Sequence, residues 1–440
     1  MKIVTASHGV VRGGALLALA AAASLLVGCT AVSTPKNSTA AAPSGAITVW
    51  SWSPHAQDMV DLFQKSHPTI SVKLVSQGDG PTTIKKLETA FAAGSGAPDV
   101  AMAGYSSIPG YVLSKYIQPL DDLGGEVIKS DFMPATVAQV TVNGKVYGAP
   151  LDASPMAFVY RDDLFTTAGV QPPKTWAEFE GAAAKFHAAL PASYIANSPL
   201  SDGTLQQMLW QAGVKPIALN NAKVTIKFNT TDAQKVADYW QRLSKSQTVG
   251  SYPAFSPEWN AALADGSLAG WIAPSWAPII LKSVAAGTTG HWKVAPIPTW
   301  DKTPSTAEFG GSAYTVTKQS KNPSAAALFA IWVNHDPKAY KLNHELVGGF
   351  PTLKSFATDQ TFLGTPDPFF GGQPIGQVFS AASQSVVVGW QWSPFNSTVD
   401  TAVNDASSKL QTGQAGAKTE LDQVDQQLTT YAKKQGFTVK

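Results

Sequence analysis

Hydrophobic and polar residues follow two different periods along the first part of the chain. Runs with a period of two predict strands at 47–52, 70–75 and 98–103. Between them, apolar residues recur every three to four positions and predict helices at 56–66 and 82–93. Strands that alternate with helices are typical of right-handed crossovers and a largely parallel sheet, in which ligands bind beyond the carboxyl ends of the strands.

The rest of the chain continues this mixture. Asn143-Gly144 lies between alternating apolar residues, which predicts a β-hairpin, and Thr175 with Glu178 forms a capping box that predicts a helix start. Further strands are predicted at 155–160, 270–273, 291–297 and 313–317, and further helices at 206–212, 232–244, 257–264, 323–334 and 419–433. The residues after position 45 far exceed the ~100–200 of a usual domain, so we expect two α/β lobes.

The first 45 residues have a different composition. Lys2 and Arg12 precede an apolar run at 15–28 that ends at Cys29, the only cysteine of the chain. This basic start, apolar centre and small-residue exit predict a secretory signal peptide at residues 1–28. The run is shorter than the ~20 residues of a spanning helix. Residues 30–44 are small, polar and proline-containing, which indicates a flexible tether.

The four residues Leu26-Val27-Gly28-Cys29 resemble the lipobox of bacterial lipoprotein precursors. That resemblance implies cleavage before Cys29, a lipid on its sulfur and on its new amino end, and a lipid-anchored linker at 29–45. The alternative is an ordinary signal peptide that ends at a cysteine by chance. With the lipid, the protein is expected on the outer face of the cytoplasmic membrane, and no disulfide is left to hold the fold.

The charge balance argues against several classes of ligand. Removal of Lys2 and Arg12 reduces the 32 basic residues to 30, which equals the 30 acidic residues, whereas nucleic-acid-binding proteins have a basic excess. Arginine is the favoured side chain for carboxylate and phosphate ligands, and only Arg161 and Arg242 remain. The seven His are scattered, so neither a metal site nor a cofactor is expected.

The 13 tryptophans of the chain indicate a class of ligand. An indole offers a large apolar face and one N–H donor. Sugars have apolar C–H faces and many hydroxyls, so indoles suit them as ligands. We nevertheless expect more than half of the tryptophans in the core.

Several motifs occur in a characteristic order: ITVWSW at 47–52, PDVAM at 98–102, YGAPLDASPMAFVYRDDLFTTAGVQPPKTWAEF at 147–179, AGWIAPSW at 269–276, KVAPIPT at 293–299, FGGSAYTV at 309–316 and HELVGGFPT at 344–352. This set resembles the extracellular sugar-binding proteins of bacterial ABC importers, the group that includes maltose-binding protein. The resemblance implies an α/β fold of two lobes, periplasmic-binding-protein-like, in which each lobe is a mostly parallel sheet flanked by helices.

In that family three chain segments cross between the lobes and form a hinge. The resemblance implies crossings near 151–154, 310–313 and 348–351. The implied lobes are lobe 1 at 46–151 and 314–348, and lobe 2 at 154–310 and 352–440. Glycine pairs at 310–311 and 348–349 fit segments that absorb backbone rotation, although most glycine pairs are plain turns.

On that fold, Asp152 is the first candidate for ligand contact, because one carboxylate can accept hydrogen bonds from two vicinal hydroxyls. Trp276 and Trp390 are the candidates for stacking on a sugar ring. One of Trp390 and Trp392 is expected to face the ligand and the other the core, and we favour Trp390 for the ligand. Trp271 stands inside a strand, where core packing is the commoner role. The remaining candidates follow strands or line the crossings: Trp52, Gln77, Asp79, Tyr105, Ser154, Ser275, Gly311, Ser312 and Phe350.

These features predict a monomeric receptor, anchored by lipid, that performs no chemistry. It would capture a di- or oligosaccharide by lobe closure and deliver it to the permease subunits of an ABC importer. The acid pairs Asp121-Asp122 and Asp162-Asp163 are interpreted as turn and helix-start residues rather than as a catalytic dyad or a cation site. Two alternatives stay open: the same fold with a non-sugar ligand such as a glycerophosphodiester, and, less favoured, a surface glycoside hydrolase.

Overall fold

The structure is a computed structural model that describes residues 43–440 except 79, 221, 222, 302, 348 and 349. The predicted signal peptide, Cys29 and most of the linker therefore lie outside the described residues. The strands are β1 Gly45–Trp50, β2 Ile70–Val75, β3 Val100–Gly104, β4 Thr141–Val142, β5 Lys145–Val146, β6 Ala149–Asp152, β7 Met156–Arg161, β8 Ile217–Asn220, β9 Lys223–Ile226, β10 Gly270–Pro274, β11 Trp292–Ala295, β12 Ser312–Val316 and β13 Thr438–Val439.

The helices connect and cover these strands. They are α1 Ala56–Ser66, α2 Gly80–Ala92, α3 Ile108–Leu113, α4 Glu126–Asp131, α5 Pro134–Gln139, α6 Asp162–Ala168, α7 Trp176–Ala189, α8 Pro199–Asp202, α9 Leu205–Gln211, α10 Thr231–Lys245, α11 Pro257–Asp265, α12 Ala277–Val284, α13 Pro323–His335, α14 Pro337–Val347, α15 Lys354–Ala357, α16 Gln360–Leu363, α17 Ile375–Gln384, α18 Asn396–Thr412 and α19 Ala417–Lys434. The β–α alternation predicted for the first part is confirmed, with element ends within about two residues of those predicted.

The first sheet has the strand order β2-β1-β3-β12-β6. Strands β2, β1 and β3 are parallel, and β12 is antiparallel to both of its neighbours. Strand β6 therefore runs in the direction of β3, and the sheet is mostly parallel, as predicted. A sheet of this kind needs cover on both faces, and helices α1 and α13 are among those that pack on it.

The second sheet corrects the predicted topology. Its order is β10-β7-β11, and β7 is antiparallel to both neighbours, so the prediction of a mostly parallel sheet is wrong for this lobe. Strands β10 and β11 run in the same direction on either side of β7, with α12 between them in the chain. Among the described residues, six helices and a hairpin separate β7 from β10. A connection of that length can bring the second strand back in either direction, so the sequence alone does not show whether the two strands are parallel.

Local turn chemistry behaves as the sequence predicts. Asn143 and Gly144 both have positive φ, 50° and 78°, as the tight turn between β4 and β5 requires. The Thr175 side chain caps α7 by accepting the Glu178 backbone N–H. These two features fix the path of the chain on either side of β6 and β7.

Aromatic side chains fill much of the interior. Eight of the 13 tryptophans are buried, which confirms the expectation that most of them are core residues. Trp176, for example, packs edge-on against Trp240 with ring centroids 5.1 Å apart. Burial of each such side chain stabilises the fold by roughly 2–3 kcal/mol, so this large core needs no disulfide.

Three chain segments lie side by side between the two sheets. Ala153 forms a β-bridge with Phe350, Pro155 forms one with Glu308, and Asp152 pairs with Ser312. Two sheets, each flanked by helices and joined by adjacent crossings, make the two-lobed α/β fold that the sequence predicts. Gly348 and Gly349 lie outside the described residues, and the lobe boundaries stay a prediction.

No helix within the described residues is both long and apolar enough to cross a bilayer.

The crossing at Gly310-Gly311 yields a prediction about stability. A Cβ at Gly311 would lie 2.5 Å from the ring of Tyr105, and its φ is +88°. Gly144 also has a positive φ but nothing within 4 Å of an added Cβ. We expect Gly144→Ala to cost about 1–2 kcal/mol for backbone strain alone and Gly311→Ala to cost clearly more, measured by urea denaturation. Equal losses would show that the contact with Tyr105 relaxes freely.

Candidate functional site

The strand register brings the predicted site residues to one edge of the first sheet. Trp50 at the end of β1 pairs with Ala101 of β3. Gly104 at the end of β3 pairs with Ser312, which in turn pairs with Asp152 at the end of β6. The carboxyl ends of parallel strands thus meet where the chain crosses toward the second sheet, the usual position of ligands in such sheets.

Asp152 is the centre of this edge. Its Oδ1 accepts hydrogen bonds from the backbone N–H of Ser312 at 2.9 Å and from the Ser312 hydroxyl at 2.6 Å. Its Oδ2 has only the Ser154 hydroxyl, at a long 3.4 Å. Burial raises the pKa of the Asp152 carboxyl, and the bonds from Ser312 act in the opposite direction. One carboxylate oxygen is therefore held by the protein and the other remains available as an acceptor.

A β-bulge in β6 positions the Asp152 carboxylate. Ser312 pairs with Asp152, but the next residue, Ala313, pairs with Pro150, so Leu151 is an extra residue in β6. Such bulges bend the strand and redirect a side chain. Strand β6 continues through the bulge to Asp152.

Tyr105 and Gly311 support Asp152 from behind. The Tyr105 side chain is buried, its hydroxyl donates to the Asp152 backbone carbonyl at 2.9 Å, and its N–H donates to the Gly311 carbonyl. Gly311 leaves the space that the Tyr105 ring occupies. Tyr105 and Gly311 were both predicted to contact the ligand. In this conformation they pack against each other and support Asp152.

Ser275, Trp276 and Phe350 meet the same crossings from the second sheet. The Ser275 hydroxyl donates to the Ala153 carbonyl at 2.8 Å, and the Ala153 N–H donates to the Phe350 carbonyl at 3.1 Å. The Trp276 indole N–H donates to the Phe309 carbonyl at 3.0 Å. Trp276 is half-buried, and because its N–H is already used, its ring face is what it can offer a ligand.

Two strand-end candidates lie farther along the same edge. Trp52 is half-buried, and an added Cβ at Gly80 would lie 3.6 Å from its indole. Gln77 is half-buried, and its backbone carbonyl accepts from Lys86. Asp79 lies outside the described residues. Trp52 and Gln77 have no hydrogen bond to the Asp152 group among those of the described residues.

The remaining tryptophan candidates are core residues in this conformation. Trp271 is 2% exposed and packs edge-on against Trp259. Trp390 stacks on Trp210 with ring centroids 3.8 Å apart, and Trp392 packs edge-on against the same ring. The prediction that one of Trp390 and Trp392 faces away from the core is wrong here. Residues two positions apart lie on the same side of an extended segment, and both indoles pack against Trp210.

Glu308 is a site residue that the sequence analysis missed. It is 2% exposed, and its Oε2 accepts from the Gln139 side-chain amide at 2.7 Å. Burial raises its pKa to about 7, with Asp152 adding a smaller increase. A glutamate in the stretch TAEFGG has no local signal of burial, and only its bridge to Pro155 places it at the crossings.

Two cavities adjoin the crossings. The larger, of about 800 Å³, is lined by Ser275 and Phe350 together with Ile279, Lys282 and His344, and its size suits a small-molecule ligand. The smaller, of about 90 Å³, is lined by residues that include Gln139, Glu308, Trp390 and Trp392. Of the predicted ligand residues, Ser275 and Phe350 line the larger cavity and Trp390 lines the smaller one, whereas Asp152 and Trp276 line neither.

The His, Cys, Asp and Glu side chains of the described residues determine whether a metal ion could be held. Within them, no group of three His, Cys, Asp or Glu side chains is placed to hold a metal ion. The acid pairs have structural roles: Asp163 binds Arg161 through both carboxylate oxygens, and Asp121 accepts from Lys129 and from the Val146 N–H. Asp162 and Asp163 begin α6, as predicted.

Comparisons with known proteins give one family and closely related folds. The family model described as bacterial extracellular solute-binding protein matches residues 58–367. Among solved structures, an ABC-transporter-associated binding protein from Bifidobacterium animalis subsp. lactis Bl-04, in complex with β-1,6-galactobiose, has a TM-score of 0.79 and 30% identity over 90% of this chain and all of its own. The lobes and crossings described above are thus a known architecture.

Two further relatives support the same placement. The galacto-N-biose/lacto-N-biose I-binding protein of the ABC transporter from Bifidobacterium longum, in complex with lacto-N-biose, has a TM-score of 0.78 and 27% identity over 91% of this chain and all of its own. A lactose-binding protein from Rhizobium radiobacter is 25% identical over 77% of this chain and 82% of its own length.

The buried Glu308 carboxyl predicts a dependence of stability on pH. Its pKa is about 7 in the folded chain and near its usual 4.5 in the unfolded chain. Its favourable contribution is therefore complete below about pH 4.5 and is lost as the pH rises toward 7. Relative to Glu308→Gln, we expect the wild type to lose about 2 kcal/mol between pH 5 and pH 8, measured by urea denaturation.

The exposed Glu258 provides the control for this measurement. Glu258→Gln removes one carboxylate from the surface, and its difference from the wild type at the two pH values is subtracted from that of Glu308→Gln. A Glu308→Gln difference that does not change with pH would mean that Glu308 is ionised or solvated in the folded protein.

Proposed function

The chain belongs to the bacterial extracellular solute-binding protein family, and from this premise we propose that it captures a carbohydrate and delivers it to an ABC importer. The ligand is a di- or oligosaccharide. The proposal takes its ligand class from relatives whose names or complexes specify lactose, β-1,6-galactobiose and lacto-N-biose. The protein binds this ligand and leaves it unchanged.

The observation that carries the proposal is the convergence of Asp152 and Trp276 on one short segment, 309–312. Asp152 binds Ser312, and Trp276 binds the Phe309 carbonyl. The open carboxylate oxygen of Asp152 accepts from sugar hydroxyls in a strong, charge-assisted hydrogen bond. The face of Trp276 stacks on the apolar side of a pyranose ring. The low arginine content disfavours phosphate and carboxylate ligands.

Lobe closure distinguishes the ligand-bound protein from the free protein. A ligand that contacts both lobes only when they are closed shifts the open–closed balance by its differential affinity for the two states. The three crossings supply the hinge. The closed protein then presents both lobes to the permease subunits, and a lipid on Cys29 keeps it close to them.

Sugar binding is tested by calorimetry and thermal unfolding of the full chain in a non-glycosidic detergent. The probes are lactose, β-1,6-galactobiose, lacto-N-biose, glucose, galactose, glycerophosphocholine and phosphate. At 100 times its dissociation constant, a ligand should stabilise the protein by about 2.7 kcal/mol. Recovery of unchanged sugar by chromatography is expected. Binding of glycerophosphocholine alone would overturn the carbohydrate assignment, and consumption of the sugar would mean that the protein is an enzyme.

The role of Asp152 is tested with Asp152→Asn, which keeps the shape and removes the charge. Loss of a charged hydrogen bond is worth roughly 1.5–3 kcal/mol, so the dissociation constant should rise about 10- to 100-fold. Asp122→Asn changes an exposed acid in a turn and should bind as the wild type does. Unchanged affinity in Asp152→Asn would remove Asp152 from the site.

The lipid anchor is tested with Cys29→Ser. The variant should move from the membrane fraction into the soluble fraction and should no longer incorporate a labelled fatty acid. Thr30→Ser, one residue away, should stay with the membrane. A Cys29→Ser protein that remains membrane-bound would contradict the anchor without affecting the sugar assignment.

A further inference from the structure

We propose that the larger cavity binds an apolar aglycone, so that the ligand is a glycoside whose sugar part is held at the crossings. The chemical class is a sugar joined through oxygen to an aryl or other cyclic hydrocarbon group. This inference rests on the proposed function and deepens it, because it names the non-sugar part of the ligand. The protein binds the glycoside and does not cleave it.

The cavity lies directly beside the crossings. Its volume is about 800 Å³, and Ser275 and Phe350 are among the residues that line it. The Ser275 hydroxyl donates to the Ala153 carbonyl at 2.8 Å, and Ala153 forms a β-bridge with Phe350. Asp152, the predicted acceptor of sugar hydroxyls, directly precedes Ala153 in the chain. A substituent on a sugar bound at Asp152 therefore has this cavity as its neighbouring space.

Exposed hydrophobic side chains are concentrated at this cavity. The large hydrophobic side chains that the described residues expose are Phe255, Ile279, Leu346 and Val388. Ile279 of α12 and Leu346 of α14 both line the larger cavity, with exposed fractions of 41% and 38%. Their helices are far apart in the chain, so the fold brings two unfavourable exposures to one place. Apolar groups gathered around an open space indicate a site that buries them when it is occupied.

The rest of the apolar lining is largely phenylalanine. Phe356 and Phe362 are half-buried and pack edge-on with ring centroids 5.3 Å apart, and the cavity is also lined by Phe350 and Phe379, which are almost fully buried. The described residues that line it include no Trp, Asn, Gln or Arg side chain. Burying sugar hydroxyls without hydrogen-bond partners is costly. This lining therefore suits a hydrocarbon group better than a further sugar unit.

The charged side chains that line the cavity already have partners within the protein. The Lys282 ammonium donates to the Asp367 carboxylate at 2.8 Å, and the Lys341 ammonium lies 3.8 Å from the Glu345 carboxylate. The Asp359 carboxylate caps the start of α16. Two lysines among three acids provide no excess positive charge for a phosphate or a carboxylate. The cavity therefore favours an uncharged substituent.

The test uses the full chain in a non-glycosidic detergent and compares three glycosides of one sugar by calorimetry. The sugar is whichever of lactose, β-1,6-galactobiose, lacto-N-biose, glucose and galactose the protein binds, and its methyl, phenyl and cyclohexyl β-glycosides are the probes. If no free sugar binds, the three glycosides of all five sugars are titrated. Because the gain from burying hydrocarbon is non-directional, the phenyl and cyclohexyl glycosides should both bind about 10-fold or more tightly than the methyl glycoside.

Ile279→Gln and Leu346→Gln test the cavity itself. Both positions are exposed and helical, and glutamine is a good helix former, so the fold should survive, as thermal unfolding will check. The double variant should reduce the preference for the phenyl over the methyl glycoside to about 3-fold or less, with the affinity for the methyl glycoside unchanged. Val388→Gln changes an exposed side chain that lines the smaller cavity instead and should keep the wild-type preference. A purely structural effect would weaken all three glycosides alike.

Equal affinities of the wild type for the methyl, phenyl and cyclohexyl glycosides would overturn the aglycone cavity and leave the carbohydrate receptor in place. A preference for the phenyl glycoside that persists in the double variant would assign the apolar group to another part of the protein and would also overturn the proposal. A wild type that binds none of the sugars and none of their glycosides would refute the proposed function itself. The two failures are therefore distinguishable.

Discussion

The hydrogen bonds between Asp152 and Ser312 are the interaction on which the rest of the structure depends. They join the end of β6 to the start of β12 at the point where the chain leaves the first sheet. A carboxylate in this half-buried position is tolerable only when donors satisfy it. Because Ser312 satisfies one oxygen, the crossing has a fixed register, and the second oxygen stays available for a ligand.

Glycine makes this arrangement possible at the neighbouring position. The ring of Tyr105 occupies the space that a Cβ at Gly311 would need, and the Tyr105 hydroxyl holds the carbonyl of Asp152. Close approach of the backbone and an aromatic ring thus positions the carboxylate from behind. The same segment binds Trp276 through Phe309, so one short stretch of chain aligns the polar and the aromatic parts of the site.

A second set of contacts lies beside the smaller cavity. The Gln139 side chain of α5 donates to Glu308 and accepts from the Trp392 indole N–H. Glu308 belongs to a crossing and Trp392 to the loop before α18, so a single side-chain amide connects α5 with both of these segments. Because Glu308 is deeply buried with its pKa raised to about 7, its protonation is coupled to the integrity of this contact.

The sequence by itself determined the local elements, the two-lobed fold and the family. Hydrophobic periodicity predicted the first five elements, and short local motifs predicted the Asn143-Gly144 turn and the Thr175 cap. Each of these features depends on residues that are near one another in the chain. The structure places Asp152 at the end of β6 beside Ser312, and its contact with a ligand stays a prediction. The ligand roles of Ser154, Ser275, Trp276 and Ser312 likewise stay predictions, although each forms a hydrogen bond with a residue of the crossings.

Only the tertiary structure decided the direction of β7, the burial of Trp271, Trp390 and Trp392, and the position of Glu308. Each of these depends on contacts between residues far apart in the chain. An alternation of strands and helices in the sequence does not specify which strand lies between two others in the sheet. An indole has the same sequence signature in a core as at a ligand site. The elements that pack against a side chain decide whether it is buried or exposed. The local sequence does not show which elements these will be.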